Sequence, residues 1–259
     1  MNYDTLLIAD HGPMRTITLH RPERRNAMTP EMQTELIAAF GDAVGSGCRV
    51  LVLEGAGQAF CSGLDLSGLQ AMHDKTANDH RVDAERIAKL FRTLYELPIP
   101  TIAAVHGAAI AGGAGLAMLC DFIVATPEAK FGFTEAHIGF VPALVSAFLV
   151  LQIGDKRSRD LLLTGRLFDA EEARRLGLVN EVAPPEELAQ RVKALAEILI
   201  ANSPMSLEAT KRLMATQNKA WLNAAINAAL EANAQARETA DFREGIAAFL
   251  EKRKPVWTK

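Results

Sequence analysis

Apolar and polar residues alternate over Thr5–Ala9 and Met14–Leu19, on either side of Asp10-His11-Gly12-Pro13, which predicts two strands joined by a turn. From Thr29 the period becomes helical. Thr29 suits a cap, Pro30 a first helical position, and Met32, Leu36, Ile37, Phe40 and Val44 fall on one stripe. Val50–Glu54 reads as a short buried strand closed by Gly55 and Gly57, followed by a turn at Cys61-Ser62-Gly63. A polar stretch near residues 70–80 is expected to be mobile, and Val82, Ile87, Leu90, Phe91 and Leu94 then return to helical spacing. Thr101–Val105 and Phe122–Thr126 read as strands, with a glycine-rich turn and a short helix between them. Strand, helix and strand in that order form the unit of a parallel, fully buried sheet. Asp169 with Glu172 resembles a capping box, Gly177 closes that helix, and Val179–Ala183 is the last expected strand. Beyond Pro184 only helices are expected, over Leu188–Ala201, Leu207–Met214, Ala220–Ala236 and Phe242–Leu250. Their apolar faces exceed what a lone tail hides, which predicts an oligomer interface. The pattern describes an α/β core with a helical C-terminal appendage.

Composition narrows the class. The 259 residues are 49% hydrophobic and 23% charged, which excludes disorder and leaves one large domain or two small ones. A net charge of −3 offers no basic surplus for nucleic acid or a membrane surface, though a local basic pocket for a small anion stays open. Cys48, Cys61 and Cys120 share no metal spacing and read as free thiols in a reducing cytosol. The N-terminus lacks the basic and apolar regions of a signal peptide. Ile99–Ala125 is long and nearly uncharged, but Pro100, His106, Asp121 and four glycines interrupt it, so a membrane span is not expected.

Three segments are candidates for chemistry. In Phe60-Cys61-Ser62-Gly63-Leu64-Asp65-Leu66, a strand ending in Ser-Gly leaves backbone N–H groups unpaired, which suits an oxyanion; an ordinary strand-to-helix turn fits the spacing as well. In His106–Gly115, glycines permit close backbone approach at a helix start, for function or for tight packing alike. Neither a dinucleotide fingerprint nor a P-loop is present there, because the third fingerprint position falls on Met118 and no Gly-Lys-Ser/Thr follows. In Lys130–Pro142, Glu135 sits among apolar residues and glycine, a setting that raises a carboxyl pKa and suits proton transfer. Capping of the next helix is the alternative role. His137 would share a face with Glu135 if the segment were extended. No metal site is expected.

Taken in order, these segments resemble the enoyl-CoA hydratase/isomerase family, the crotonases. The matching pieces are RPERRNAM (21–28), FCSGLDL, HGAAIAGGAGLAMLCD, FGFTEAHIGFVP, LLLTGRLFDAEEARRLGLVNEV and AFLEKRKP, across nearly the whole chain. The resemblance implies a β-β-α spiral core over residues 1–200. A helical region over 201–259 would build homotrimers or hexamers and cover an acyl-CoA site. It implies a cytoplasmic enzyme that needs no cofactor, coenzyme A arriving as part of the substrate. It assigns the oxyanion donors to Leu64 and Gly112 and the acid/base to Glu135. Arg24, Arg25, Ala27, Ser62 and Leu66 match the region that holds the CoA nucleotide, and Phe249 and Lys252 match residues that cover CoA. Asp65, Gly113 and Gly115 complete the expected ligand surface. One position departs from the family: well-studied hydratases carry a second glutamate where this chain has Gly115. A glycine there implies room for a bulkier acyl group or an extra water, and leaves Δ3-Δ2-enoyl-CoA isomerase or a non-catalytic acyl-CoA binder as alternatives to 2-enoyl-CoA hydratase.

Overall fold

The computed structural model describes residues 3–65 and 76–257. A six-stranded sheet forms the centre. Its strands are β1 (Leu6–His11), β2 (Met14–Leu19), β3 (Val50–Gly55), β4 (Thr101–Val105), β6 (Phe122–Ala125) and β9 (Glu181–Val182), in that spatial order. β1 and β2 pair antiparallel across the predicted turn, and every later pairing is parallel. Successive strand residues point to opposite faces, and both faces are covered. Leu51, Leu53, Ala103, Val105, Ile123 and Ala125 face the main core. Val50, Val52, Ile102, Ala104 and Val124 face Val192, Ala196 and Leu199 of the C-terminal helix Leu188–Ala201.

Helix α1 (Pro30–Gly45) starts where expected, with the Thr29 hydroxyl accepting from the Met32 amide. Its outermost predicted stripe residue, Val44, is exposed, and so is Val82 of α2 (Ala77–Tyr95). Part of the stretch expected to be mobile is the start of α2. Thr76 and Asp79 form a reciprocal capping box there, while residues 70–75 lie outside the described residues. Helix α3 (Gly112–Leu119) follows the glycine-rich turn, and α4 (Ala143–Ile153) and α5 (Asp155–Thr164) run consecutively.

A second, three-stranded sheet was not expected. It pairs β5 (Ala108–Ile110) with β7 (Lys130–Gly132) and β7 with β8 (Leu167–Asp169). Helix α6 (Ala170–Leu176) then begins with only half of the predicted capping box. Asp169 accepts from the Glu172 amide, but the Glu172 carboxylate is taken by Arg166.

Beyond α7 (Leu188–Ala201), the two helices expected over 207–214 and 220–236 are one, α8 (Pro204–Arg237). Ser203 caps α8, and its buried stripe Leu222, Ile226, Ala229, Asn233 and Ala236 packs on α2 and α4. Helix α9 (Ala240–Leu250) folds back onto the 3-10 turn Glu135–Ile138. A Cβ at Gly245 would collide with the Ile138 carbonyl, so only glycine permits that backbone approach. Among the described residues, no helix is long and apolar enough to cross a membrane.

Candidate active site

Asn26 organises the first wall of the site. It is fully buried in the left-handed region, at φ 55°. Its Oδ1 accepts from the Arg21 amide, and its Nδ2 donates to the carbonyls of Ala56, Ala59 and Phe60. Those bonds tie the 21–28 loop to the end of β3 and its following turn. The Met28 amide donates to Gly63 and the Asp65 amide to Met28, while Arg21 pairs with the Asp65 carboxylate at 2.9 Å. The Leu64 amide between them makes no hydrogen bond among the described residues.

The second wall is the N-terminus of α3. Its first amide, Gly112, likewise has no backbone acceptor among the described residues. Ala111 precedes it at φ 51°, ψ −123°, a strained conformation for a residue with a Cβ. A Cβ placed on Gly63 would lie 3.5 Å from the Gly112 nitrogen, so the two turns are in direct contact.

The third wall carries Glu135, at the start of the 3-10 turn after β7. The residue is only 8% exposed, its Oε2 has no hydrogen-bond partner, and burial pushes its pKa up to about 7. It caps no helix. Because the segment is a 3-10 turn and not extended, His137 points elsewhere, its Nε2 lying 3.3 Å from the Thr164 carbonyl. That overturns the expected shared face.

These walls enclose a cavity of about 200 Å³. Leu64, Gly112, Glu135 and Ser62 line it, with Ala111, Thr134 and Phe140. Ile87 and Phe91 of α2, Leu144 and Val145 of α4, Asn233 of α8 and Phe249 of α9 are also part of the lining. An apolar cavity with two unspent amides and one buried carboxyl can hold a developing oxyanion and move a proton beside it.

Sequence comparison agrees with that chemistry. A family model described as enoyl-CoA hydratase/isomerase matches residues 11–259. The chain belongs to the enoyl-CoA hydratase/isomerase family. It is 46% identical over 247 residues to the "Putative enoyl-CoA hydratase" of Thermus thermophilus, covering 95% of this chain and 98% of that one. It is 37% identical over 261 residues to the "Probable enoyl-CoA hydratase" of Rhodobacter capsulatus, covering 100% and 99%. Among solved structures, an enoyl-CoA hydratase/isomerase from Xanthobacter autotrophicus superposes with a TM-score of 0.89 at 30% identity, covering 97% and 98%. The fold is that of the crotonases.

The residues expected at the family's ligand surface divide into two groups. Leu64, Gly112, Glu135, Ser62 and Phe249 meet at the cavity. Arg24 and Arg25 are exposed on the neighbouring turn, joined to the lining through the Ser62 amide, which donates to the Arg25 carbonyl. Ala27 is buried, and its carbonyl accepts from Arg21. Lys252 is exposed one turn beyond Phe249, and Leu66 lies outside the described residues. Gly113 and Gly115 sit one layer behind the cavity wall. A Cβ on Gly113 would strike the Cys61 carbonyl, and one on Gly115 would lie 2.7 Å from Phe91 Cζ and 3.2 Å from Val145 Cγ2. The expected extra room at Gly115 is therefore absent: the Phe91 ring occupies it.

The cysteines take no part in this. All three are buried, unpaired thiols, and burial pushes Cys61 and Cys120 up to about 12. Among the described residues, the acids Asp4, Glu31 and Glu35 cluster within 4.8 Å, away from the cavity, and Glu35 already accepts from the Asp4 and Thr5 amides. Sequence reasoning missed Asn233. The signal was present: an asparagine continuing the apolar stripe Leu222, Ile226, Ala229 of a helix is a polar group aimed at the interior.

Proposed function

We propose that the chain adds water to a 2-enoyl-CoA thioester. The thioester oxygen sits between the Leu64 and Gly112 amides, and Glu135 serves as both base and acid. As a carboxylate it takes a proton from water while the water oxygen bonds to C3. The C2–C3 electron pair moves toward the carbonyl, and the resulting enolate oxygen is held by the two amides. The protonated Glu135 then returns its proton to C2 and the carbonyl reforms, so one water has been added. Each amide is worth about 3 kcal/mol of barrier in such a role. The observation that carries this reading is the buried Glu135 carboxyl with its free Oε2, whose pKa of about 7 keeps both protonation states populated around neutrality.

Arg24, Arg25 and Lys252, exposed near the cavity rim, are the cations we assign to the CoA nucleotide, with Ala27, Ser62 and Phe249 beside it. No cofactor enters the scheme. Family membership and the apolar residues exposed on α8 (Met205, Leu213, Met214 and Trp221) support association into trimers or paired trimers. Three unpaired thiols fit a reducing compartment and support a cytoplasmic enzyme. One observation favours a second reading. Glu135 is the only carboxylate among the described lining residues, and a single carboxylate suffices to move a proton from C2 to C4 of a 3-enoyl-CoA. Trans-2-enoyl-CoA and 3-enoyl-CoA supplied in parallel, with products weighed by mass spectrometry, separate the two. Glu135→Gln is expected to lose about 10²- to 10⁴-fold in turnover while still binding acyl-CoA. Unchanged turnover refutes the assignment, and binding without reaction on either substrate marks a non-catalytic homologue.

A further inference from the structure

We propose that the helical wall of the cavity recognises an oxygen acceptor on the acyl chain itself, through the side-chain amide of Asn233; this rests on the acyl-CoA reading above. Ile87, Phe91, Leu144 and Val145 make that wall apolar, and a plain alkyl chain would need nothing else. Asn233 breaks the pattern. It is 4% exposed, it lines the cavity, and it lies on the buried stripe of α8. Its orientation is fixed chemically. The Arg237 Nε donates to Asn233 Oδ1 at 3.1 Å, and because a guanidinium only donates, the oxygen must be the atom turned toward Arg237. Arg237 is in turn held by Asp83 at 3.5 Å and lies 5.8 Å from the centroid of the Phe140 ring, itself part of the cavity lining. Asp83 also pairs with Arg86, which donates to Gln33. The carboxamide is thus clamped, and its Nδ2 makes no hydrogen bond among the described residues, with the cavity as the residue's open side.

A donor held in an apolar wall goes unsatisfied when alkyl carbon occupies the cavity and is satisfied when an oxygen lies opposite it. The substrate class inferred is therefore an enoyl-CoA whose acyl chain carries a carbonyl, hydroxyl or carboxylate oxygen beyond the reacting double bond. The test is calorimetric binding of hexanoyl-CoA and of hexanoyl-CoA oxygenated at C4, C5 or C6, none of which can be hydrated. At least one oxygenated analogue is expected to bind about tenfold more tightly than hexanoyl-CoA, the worth of one satisfied buried donor. Asn233→Asp keeps an acceptor for Arg237 but removes the donor, so the gap at that position should close. Hexanoyl-CoA binding at least as tightly as every analogue, or a gap that persists in Asn233→Asp, overturns the inference and leaves the hydratase reading standing. Failure of every acyl-CoA to bind overturns both. Should the variant not fold, the series on the unaltered protein still decides.

Discussion

Gly115→Ala probes the position at which the family resemblance implies a second glutamate. In an unobstructed helix the change is worth about 1 kcal/mol of added stability, because alanine is the better helix former. Here the new Cβ would lie 2.7 Å from Phe91 Cζ and 3.2 Å from Val145 Cγ2, where carbon atoms rest at about 3.5–4.0 Å. The Phe91 ring is 1% exposed and packs edge-on against Phe148, at 6.3 Å between centroids, so it can yield only toward the cavity that it lines. Overpacking of this kind costs about 1–3 kcal/mol, so Gly115→Ala should leave stability unchanged or lower it by up to about 2 kcal/mol. Phe91→Ala alone should cost about 3–5 kcal/mol. In that background only the Val145 contact at 3.2 Å remains and Gly115→Ala should stabilise, giving a coupling of about 1–3 kcal/mol between the sites. Equilibrium urea unfolding of the four proteins reads all of this. Stabilisation of the parent by about 1 kcal/mol, or additive effects in the double variant, would refute the claim that Phe91 fills the glutamate position. By the same geometry, Gly115→Glu becomes a usable second carboxylate only when Phe91 is shortened.

Glu135 should also leave a signature in stability. Its pKa is raised in the fold from an ordinary 4.5 to about 7, so the folded state holds the proton more tightly. The contribution is fully present below about pH 4.5, falls as pH rises and is lost above about pH 7, a span of about 3 kcal/mol. Glu135→Gln should abolish that decline, and urea midpoints at pH 5 and pH 8 that fall equally in both proteins would contradict it. Asn26→Asp should destabilise more than Asn26→Ala. Alanine deletes the three donated bonds, whereas aspartate sets a buried carboxylate against the carbonyls of Ala56, Ala59 and Phe60. The expected losses are about 3 kcal/mol for alanine and more for aspartate, measured by thermal unfolding at neutral pH. An aspartate variant as stable as the parent would remove Asn26 from its organising role.

What could be read in the chain follows the strength of local signals. Strands β3, β4 and β6 are continuous apolar runs and α1 has a cap, a proline and a stripe, so their limits are nearly as expected. The second sheet escaped because β5, β7 and β8 have three residues each and owe their conformation to one another. α8 was split because the polar run Thr216-Gln217-Asn218-Lys219 resembles a break, yet it lies on the more exposed part of a helix whose apolar stripe resumes at Leu222. Leu64 and Gly112 could be placed by family resemblance, since a free amide leaves no mark on residue type. Glu135 was visible as a carboxyl among apolar residues. The obstruction at Gly115 was not, because Phe91 comes from α2, distant in sequence, and its stripe position marks it only as core.

Glu135, with its raised pKa, and Phe91, which stands over Gly115, line the same cavity. Where a second carboxylate would bring charge and water, this chain supplies Phe91, Val145, Leu144 and Ile87. Among the described residues no neighbouring carboxylate contributes to the shift at Glu135; burial raises it, and the opposing influence is a backbone hydrogen bond. On the proposed mechanism a drier wall does two things at once. It removes the partner with which the work of positioning and protonation would be divided, and it brings the lone carboxyl to a pKa at which it can take a proton in one step and give it back in the next. If Glu135 moves the proton as proposed, Phe91 acts on catalysis through it as a positioning residue of the apolar wall. Replacing it by a smaller or polar side chain would admit water, lower the Glu135 pKa toward that of an ordinary carboxyl and move the acidic limb of the rate profile downward with it.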